Sequence, residues 1–387
     1  MKARLLGGAA LALTLVCGAA SAQIAVSGNG NKQRLVNGVN TVVANPPPDT
    51  ITVLDLGGPR PRVLGEAQVP HSLVGPPTGV AITPDERFAA ISSSQRIDPA
   101  DPTRTTADNR VTLVDIRANP PRVVQTVEAG AGPSGLSFNH AGTLLLVANR
   151  NAGSVSVFRF QGGQLAPVST LSLGAADSGP SHVQFTPDGR RALVTRDGDN
   201  AAGNRITVLA VDGETVALAH RDITAGIRPY GLGITPNGQW AAVANVGRGT
   251  GDADSVSLID LRRDTYLTAD TISVGATPEG VQVSPDNRHI AVTVHNGSAR
   301  APSHPLHGVS ELVILRIENG RLRRVASAPI GDWAQGVAFS RDGRTVIVQN
   351  IVDRNLGVFR FDGTRLTDTR QRIPVSGGPA AIRTADR

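Results

Sequence analysis

Three observations in the sequence predict an all-β fold, a seven-bladed β-propeller of four-stranded antiparallel blades. First, a segment of the form Pro-x-Gly-apolar-x-apolar-Ser/Thr-Pro-Asp-Gly, followed by an apolar run, recurs down the chain; it is clearest at residues 179–195, GPSHVQFTPDGRRALVT. Second, its copies begin at Pro77, Pro133, Pro180, Pro229, Pro278, Ala334 and Pro379, 45 to 56 residues apart. Periods of that length belong to propellers and solenoids. Third, an alternating apolar strand follows each complete copy, as at 111–116, 155–160, 256–261 and 356–361, and a looser strand precedes the next copy, as at 168–173. Period-two alternation bounded by Gly, Pro, Asn and Asp marks strands, and four strands per repeat make a propeller blade.

Taken in order, residues 1–22 read as a signal peptide: Lys2 and Arg4, a short apolar run, then Ala20-Ser21-Ala22. Cleavage there predicts a periplasmic or secreted protein. It also removes Cys17, the single cysteine, and with it any disulfide, thiol nucleophile or Cys-x-x-Cys-His haem attachment. Residues 23–40 are expected to be a lead-in, and 41–387 one propeller domain. The last copy, from Pro379, has room for only one strand. The closing blade must therefore be shared between the two ends of the chain. Residues 41–45, aligned with 145–149, are expected to be its second strand, and 51–56 its third. Such closure leaves no open sheet edge.

The Pro-Asp-Gly turns have a local cause. Pro presets φ, Asp bonds its own backbone and Gly accepts positive φ; Glu86 and Asn287 stand at the Gly position of two copies. Insertions at 95–110, 197–205, 247–254 and 295–310 all follow a second strand, so they emerge on one face of the disc. Loops gathered on one face of a rigid scaffold are where binding resides.

The net charge of +6 comes almost entirely from arginine, since Lys2 and Lys32 are the only lysines. The arginines are scattered one or two per turn and aromatics make up 3%. This argues against nucleic acid, which needs basic patches and stacking platforms. No apolar stretch is long enough to span a membrane. No cofactor and no metal are predicted. His295, His304 and His307 share one insertion, but their spacing fits no compact ligand pattern. Asp197, Asp199 and Asn200 resemble a calcium loop, yet Val208 stands where the bidentate Glu should be; they are read as a turn. Trp240 is read as intersheet packing. The expected partner is a small-molecule or protein ligand at the channel face of a monomer.

The repeat resembles the YVTN-type β-propeller repeat. The resemblance is carried by the Pro-x-Gly entry, the Ser/Thr-Pro-Asp-Gly turn, Val147-Ala148-Asn149 and Val243-Ala244-Asn245, and the Ser-Val-Ser strands at 154–157 and 255–258. It implies the fold. Proteins with this repeat are similar to lactonases, surface-layer proteins and oxidoreductase subunits, so activity has to be argued from a site.

In such a ring the first strands line the channel. Its entrance is expected to be built from Thr78, Ser134, Ser181 with His182, Tyr230, Glu279 and Gln335, and from the ends of the second strands: Asn45, Ser93, Asn149, Arg196, Asn245, His295 and Asn350. His182 stands where other copies have Gly, and Glu279 where they have Ser, Thr or Tyr. The candidate catalytic set is His182, Glu279 and Arg196, with His182 as general base, Glu279 as its electrostatic partner and Arg196 or Arg228 holding an anion. The competing reading has His182 bonding a neighbouring blade. The candidate binding set is Arg228, Tyr230, His295, Trp333, Gln335 and Asn350. Gly179-Pro180-Ser181-His182 resembles the Gly-Pro-Arg-His turn of seven-bladed propeller lactonases, with Ser181 in place of the arginine, which weakens the case for a phosphosugar. Two functions follow. The first is an exported binding or accessory module, favoured because no catalytic constellation is complete. The alternative is a lactonase-like hydrolase acting at the channel mouth.

Overall fold

The computed structural model describes residues 23–200, 203–219 and 221–386; the signal-peptide reading falls outside them. Each repeat becomes a sheet in the predicted order. In blade 2, Pro133–Phe138, Leu144–Asn149, Ser154–Gln161 and Gln164–Ser172 pair as successive antiparallel neighbours. Blades 1 to 6 are each continuous in sequence, and the fourth strand of blade 3 is in two pieces, Thr215–Leu218 and Ile223–Thr224. The first strands touch in sequence around the axis, and the last of them, Gly378–Thr384, returns to Val80–Ile82 of blade 1. The result is a closed ring of seven blades.

Blade 7 mixes the two ends of the chain: Gly378–Thr384, Ile24–Gly30, Thr50–Asp55 and Arg62–Gln68 pair in that order. Ile382 lies opposite Ser27. The second strand is thus Ile24–Gly30, not residues 41–45, and the sheet begins within the expected lead-in. Burial explains the correction. Ile24, Ala25 and Val26 are wholly buried, whereas Val39–Val42 is largely exposed and pairs with Gln33–Val36 as a separate hairpin. The Asn at the end of the second strand is Asn29. Its amide donates to the Thr50 and Thr52 hydroxyls, as Asn149 donates to Ser154 and Ser156 and Asn245 to Ser255 and Ser257.

The core lies between adjacent sheets. Phe158, Phe339 and Phe359 are fully buried in it, each worth roughly 2–3 kcal/mol of transfer from water. Trp240 packs with Leu258 and Leu322 between blades 4 and 5, beneath the Arg262 guanidinium at 4.2 Å. The turns closing the first strands repeat one bond. Thr83, Thr186, Thr235, Ser284 and Ser340 each donate from the hydroxyl to the Asp or Asn two residues on, at 2.5–2.7 Å. The next residue takes positive φ in every case, including Glu86 (55°) and Asn287 (62°).

The four insertions follow second strands and share one face with the Pro-x-Gly corners. On that face the tip of the 33–42 hairpin, from blade 7, reaches the blade 5 insertion. A Cβ on Gly38 would lie 2.4 Å from the Ala301 nitrogen. Among the described residues no helix is long and apolar enough to cross a membrane.

Candidate functional site

The mouth on the insertion face is built by three structural positions that recur in the blades. The first is the corner residue before the first strand, held at positive φ: Gly132 (68°), Gly179 (64°), Arg228 (55°), Thr277 (58°) and Trp333 (50°). Glycine accepts that conformation freely; other residues are strained in it. The second is the middle residue of Pro-x-Gly: Ser134, Ser181, Tyr230, Glu279, Gln335 and Ala380. The third is the residue just past the second strand: Arg150, Asp197, Val246, His295 and Ile351. A break in register at each corner, for example between Pro180 and His182 or Pro278 and Val281, separates the second position from its neighbour and re-aims the side chains, as β-bulges do.

Blades 2 to 6 supply a polar arc. Asp197 is its hub. Its side chain is fully buried and accepts from Arg150 Nη2 at 2.6 Å, Ser181 Oγ at 2.6 Å and Arg228 Nη2 at 3.1 Å. Arg150 also donates Nη1 to Ser181 at 2.8 Å and lies 5.5 Å from the Tyr230 ring. Burial opposes the Arg150 charge, but Tyr230, Asp197 and Glu279 outweigh it and its pKa rises. Burial pushes the Tyr230 hydroxyl up, so it stays protonated.

Glu279 faces the same arc. Gln335 Nε2 donates to its Oε2 at 2.5 Å, and His295 Nε2 lies 3.7 Å from its Oε1. That nitrogen makes no hydrogen bond among the described residues. Burial raises the Glu279 carboxyl above its ordinary value, against the pull of His295, Gln335, Arg150 and Arg228. A raised carboxyl beside an imidazole and two guanidinium groups can relay a proton and stabilise an oxyanion.

Blades 6 and 7 supply an apolar arc. Trp333 packs against Leu73, Ile351 and Ala380, and its backbone nitrogen donates to Ser298 Oγ at 3.0 Å.

The mouth therefore unites Glu279, Arg228, Tyr230, His295 and Gln335, with Trp333 beside them. It does not unite the rest of the expected set. His182 is fully buried in the seam with blade 4, where its Nδ1 accepts from the Leu232 nitrogen at 3.2 Å. Burial, then Arg383, holds its pKa well below the usual value, so it is neutral. Arg196 turns outward. Its Nη2 donates to the Leu173 carbonyl at 2.8 Å and its Nη1 to Thr207 at 3.2 Å. It stands where Asn149 and Asn245 pin the third strand. Asn350 is another such pin, accepting from the Gly331 nitrogen at 3.0 Å and donating to Asn355 at 2.8 Å. Arg150 and Asp197 are mouth residues that motif reading missed. The available signal was their shared register with His295. His304 and His307 are engaged with Arg300 within their own loop. Among the described residues no three His, Cys, Asp or Glu side chains are grouped to share a metal.

The profile of the lactonase seven-bladed β-propeller family matches residues 118–267. This stretch carries Arg150, Ser181, Asp197, Arg228 and Tyr230; Glu279, His295, Trp333 and Gln335 lie beyond it. A candidate 6-phosphogluconolactonase from Bacteroides uniformis superposes with a TM-score of 0.71 at 18% identity, covering 94% of this chain and 99% of that one. The periplasmic gluconolactonase PpgL of Pseudomonas aeruginosa gives a TM-score of 0.67 at 20% identity, covering 94% and 99%. A hydrazine synthase structure from Kuenenia stuttgartiensis gives a TM-score of 0.58 at 21% identity over 76% and 79%. Identities this low establish the fold, and the last neighbour shows that the fold serves unlike chemistries. The chain is a seven-bladed β-propeller repeat protein, similar over its central repeats to the propeller lactonases.

Proposed function

We propose that the protein is a lactone hydrolase working at the mouth on the insertion face. The observation that carries this reading is Glu279: a mostly buried carboxyl, 13% exposed, that accepts from Gln335 Nε2 and lies 3.7 Å from His295 Nε2, opposite Arg150 and Arg228. The lactonase family match and the two lactonase-type neighbours support it over a binding module.

In this reading the Glu279 carboxylate takes a proton from water as the oxygen attacks the lactone carbonyl carbon. The Tyr230 hydroxyl donates to the oxyanion of the tetrahedral intermediate, with the Arg150 charge, 5.5 Å from the Tyr230 ring, behind it. The carbonyl reforms as the bond to the ring oxygen breaks, and that oxygen takes the proton back from Glu279. One water is consumed and one hydroxy acid is released. Gln335 and His295 orient the carboxyl and set its basicity. His182 acts as a seam residue.

The test is a pH-stat screen of lactones on the chain from residue 23, beside Glu279→Gln and His182→Ala. We expect turnover, a loss of roughly a hundredfold or more in Glu279→Gln, and a lower melting temperature with retained kcat in His182→Ala. Absence of turnover on every lactone would return the protein to the binding class. Export after cleavage at Ala22 belongs to the same proposal, and an N-terminus at Gln23 in the secreted protein is the result that supports it.

A further inference from the structure

The mouth changes character around the ring. The middle position of Pro-x-Gly is polar from Ser134 to Gln335 but is Ala380 in blade 7. The position past the second strand is charged or ionisable in Arg150, Asp197 and His295, apolar in Val246 and Ile351, and Asn31 in blade 7; the apolar change in the mouth is therefore carried by Ile351, Ala380 and Trp333. Trp333 occupies the strained corner between these two changes, at φ 50°, and closes against Leu73, Ile351 and Ala380. Val352, exposed to 43%, continues the apolar surface outward. A large aromatic ring kept in a backbone conformation that glycine would adopt freely implies a use for the side chain.

The cations on the opposite arc are already engaged. The Arg150 and Arg228 forks both point at Asp197, and the more distant Arg248 pairs with Asp199. An anion-binding site presents guanidinium forks to the ligand; here they are spent within the protein.

We infer that the substrate is an uncharged lactone carrying an apolar substituent, with its ring on the Glu279 arc and its substituent against Trp333, and that Trp333 sets this preference. This rests on the hydrolase reading above and specifies its substrate class.

The experiment compares δ-valerolactone, δ-decalactone, glucono-δ-lactone and its 6-phosphate on the same chain, on Trp333→Gly and on Trp333→Phe. Glycine relaxes the corner but uncovers Leu73, Ile351 and Ala380, so each variant is assayed below its own melting midpoint, and Trp333→Phe, which keeps the cover, separates ring chemistry from loss of packing. We expect kcat/KM for δ-decalactone to exceed that for δ-valerolactone by roughly tenfold or more. In Trp333→Gly the advantage should vanish because KM rises more for δ-decalactone than for δ-valerolactone; Trp333→Phe should keep most of it. Equal kcat/KM for the two alkyl lactones, or a preference for the 6-phosphate, would overturn the inference and leave the hydrolase reading intact. If nothing is turned over, the hydrolase reading fails, and calorimetry with the intact lactones decides the rest. Tighter binding of δ-decalactone that is lost in Trp333→Gly upholds the apolar arc; equal binding of the two overturns it.

Discussion

A single carboxyl illustrates how burial and partners set a proton's affinity. Glu279 would ordinarily ionise near 4.5, and burial raises it despite four favourable neighbours. Its basic form therefore predominates only at a pH above that raised value. The acid limb of kcat/KM should accordingly have its midpoint above 4.5, and a pH profile on a neutral lactone checks it; a midpoint at or below the ordinary value would remove Glu279 from the role of base. Glu279 was legible in the sequence because its counterparts Ser134, Ser181, Tyr230, Gln335 and Ala380 are uncharged. Asp197 was not, because its importance depends on Arg150 and Arg228 arriving from the blades on either side. His182 was misplaced for a related reason. Two adjacent residues of one strand, Ser181 and His182, serve the mouth and the seam respectively, and only the break in register beside Pro180 decides which does which.

At the scale of the element, the corner before each first strand is one conformation written in different residues. Gly132 and Gly179 meet it without strain, while Arg228, Thr277 and Trp333 meet it at a cost of about 1 kcal/mol each. Thr277 is the informative case. It is β-branched, and the corner bond it makes, to Asp254 Oδ2, comes from its backbone nitrogen. Thr277→Gly should therefore stabilise the fold by about 0.5–1 kcal/mol, seen as a higher midpoint in urea with an unchanged slope; a lower midpoint would mean that the threonine side chain contributes contacts of its own. The turns at the other end of the strands were readable residue by residue, down to the positive φ of Glu86 and Asn287. The second strand of blade 7 was not. Residues 41–45 copy the apolar end of that strand, but the strand is recognised by an Asn followed by Ser/Thr-x-Ser/Thr. That pattern belongs to Asn29 with Thr50-Ile51-Thr52.

For the whole molecule, the period and the single-strand remainder at the end of the sequence were enough to predict the blade number and the shared closure. They could not reveal the clasp that secures it. The Glu86 side chain is buried in blade 1 and bonds Arg117 Nη2 at 3.2 Å and, across blade 7, Arg341 Nη2 at 3.0 Å. The Arg341 backbone nitrogen also donates to Gln23 Oε1. Glu86→Gln should cost about 2 kcal/mol, discounted because both arginines are partly exposed; chemical denaturation measures it, and an unchanged midpoint would show that the clasp is idle. Ser27 must wait for Ile382 to emerge before its sheet is whole, so a chain made from its amino end cannot finish folding during synthesis. Until then the edge of Ala25–Val26 that faces the tail strand stays open, its other edge already paired with Leu54 and Val53, and that open edge is what a holding chaperone would have to shield.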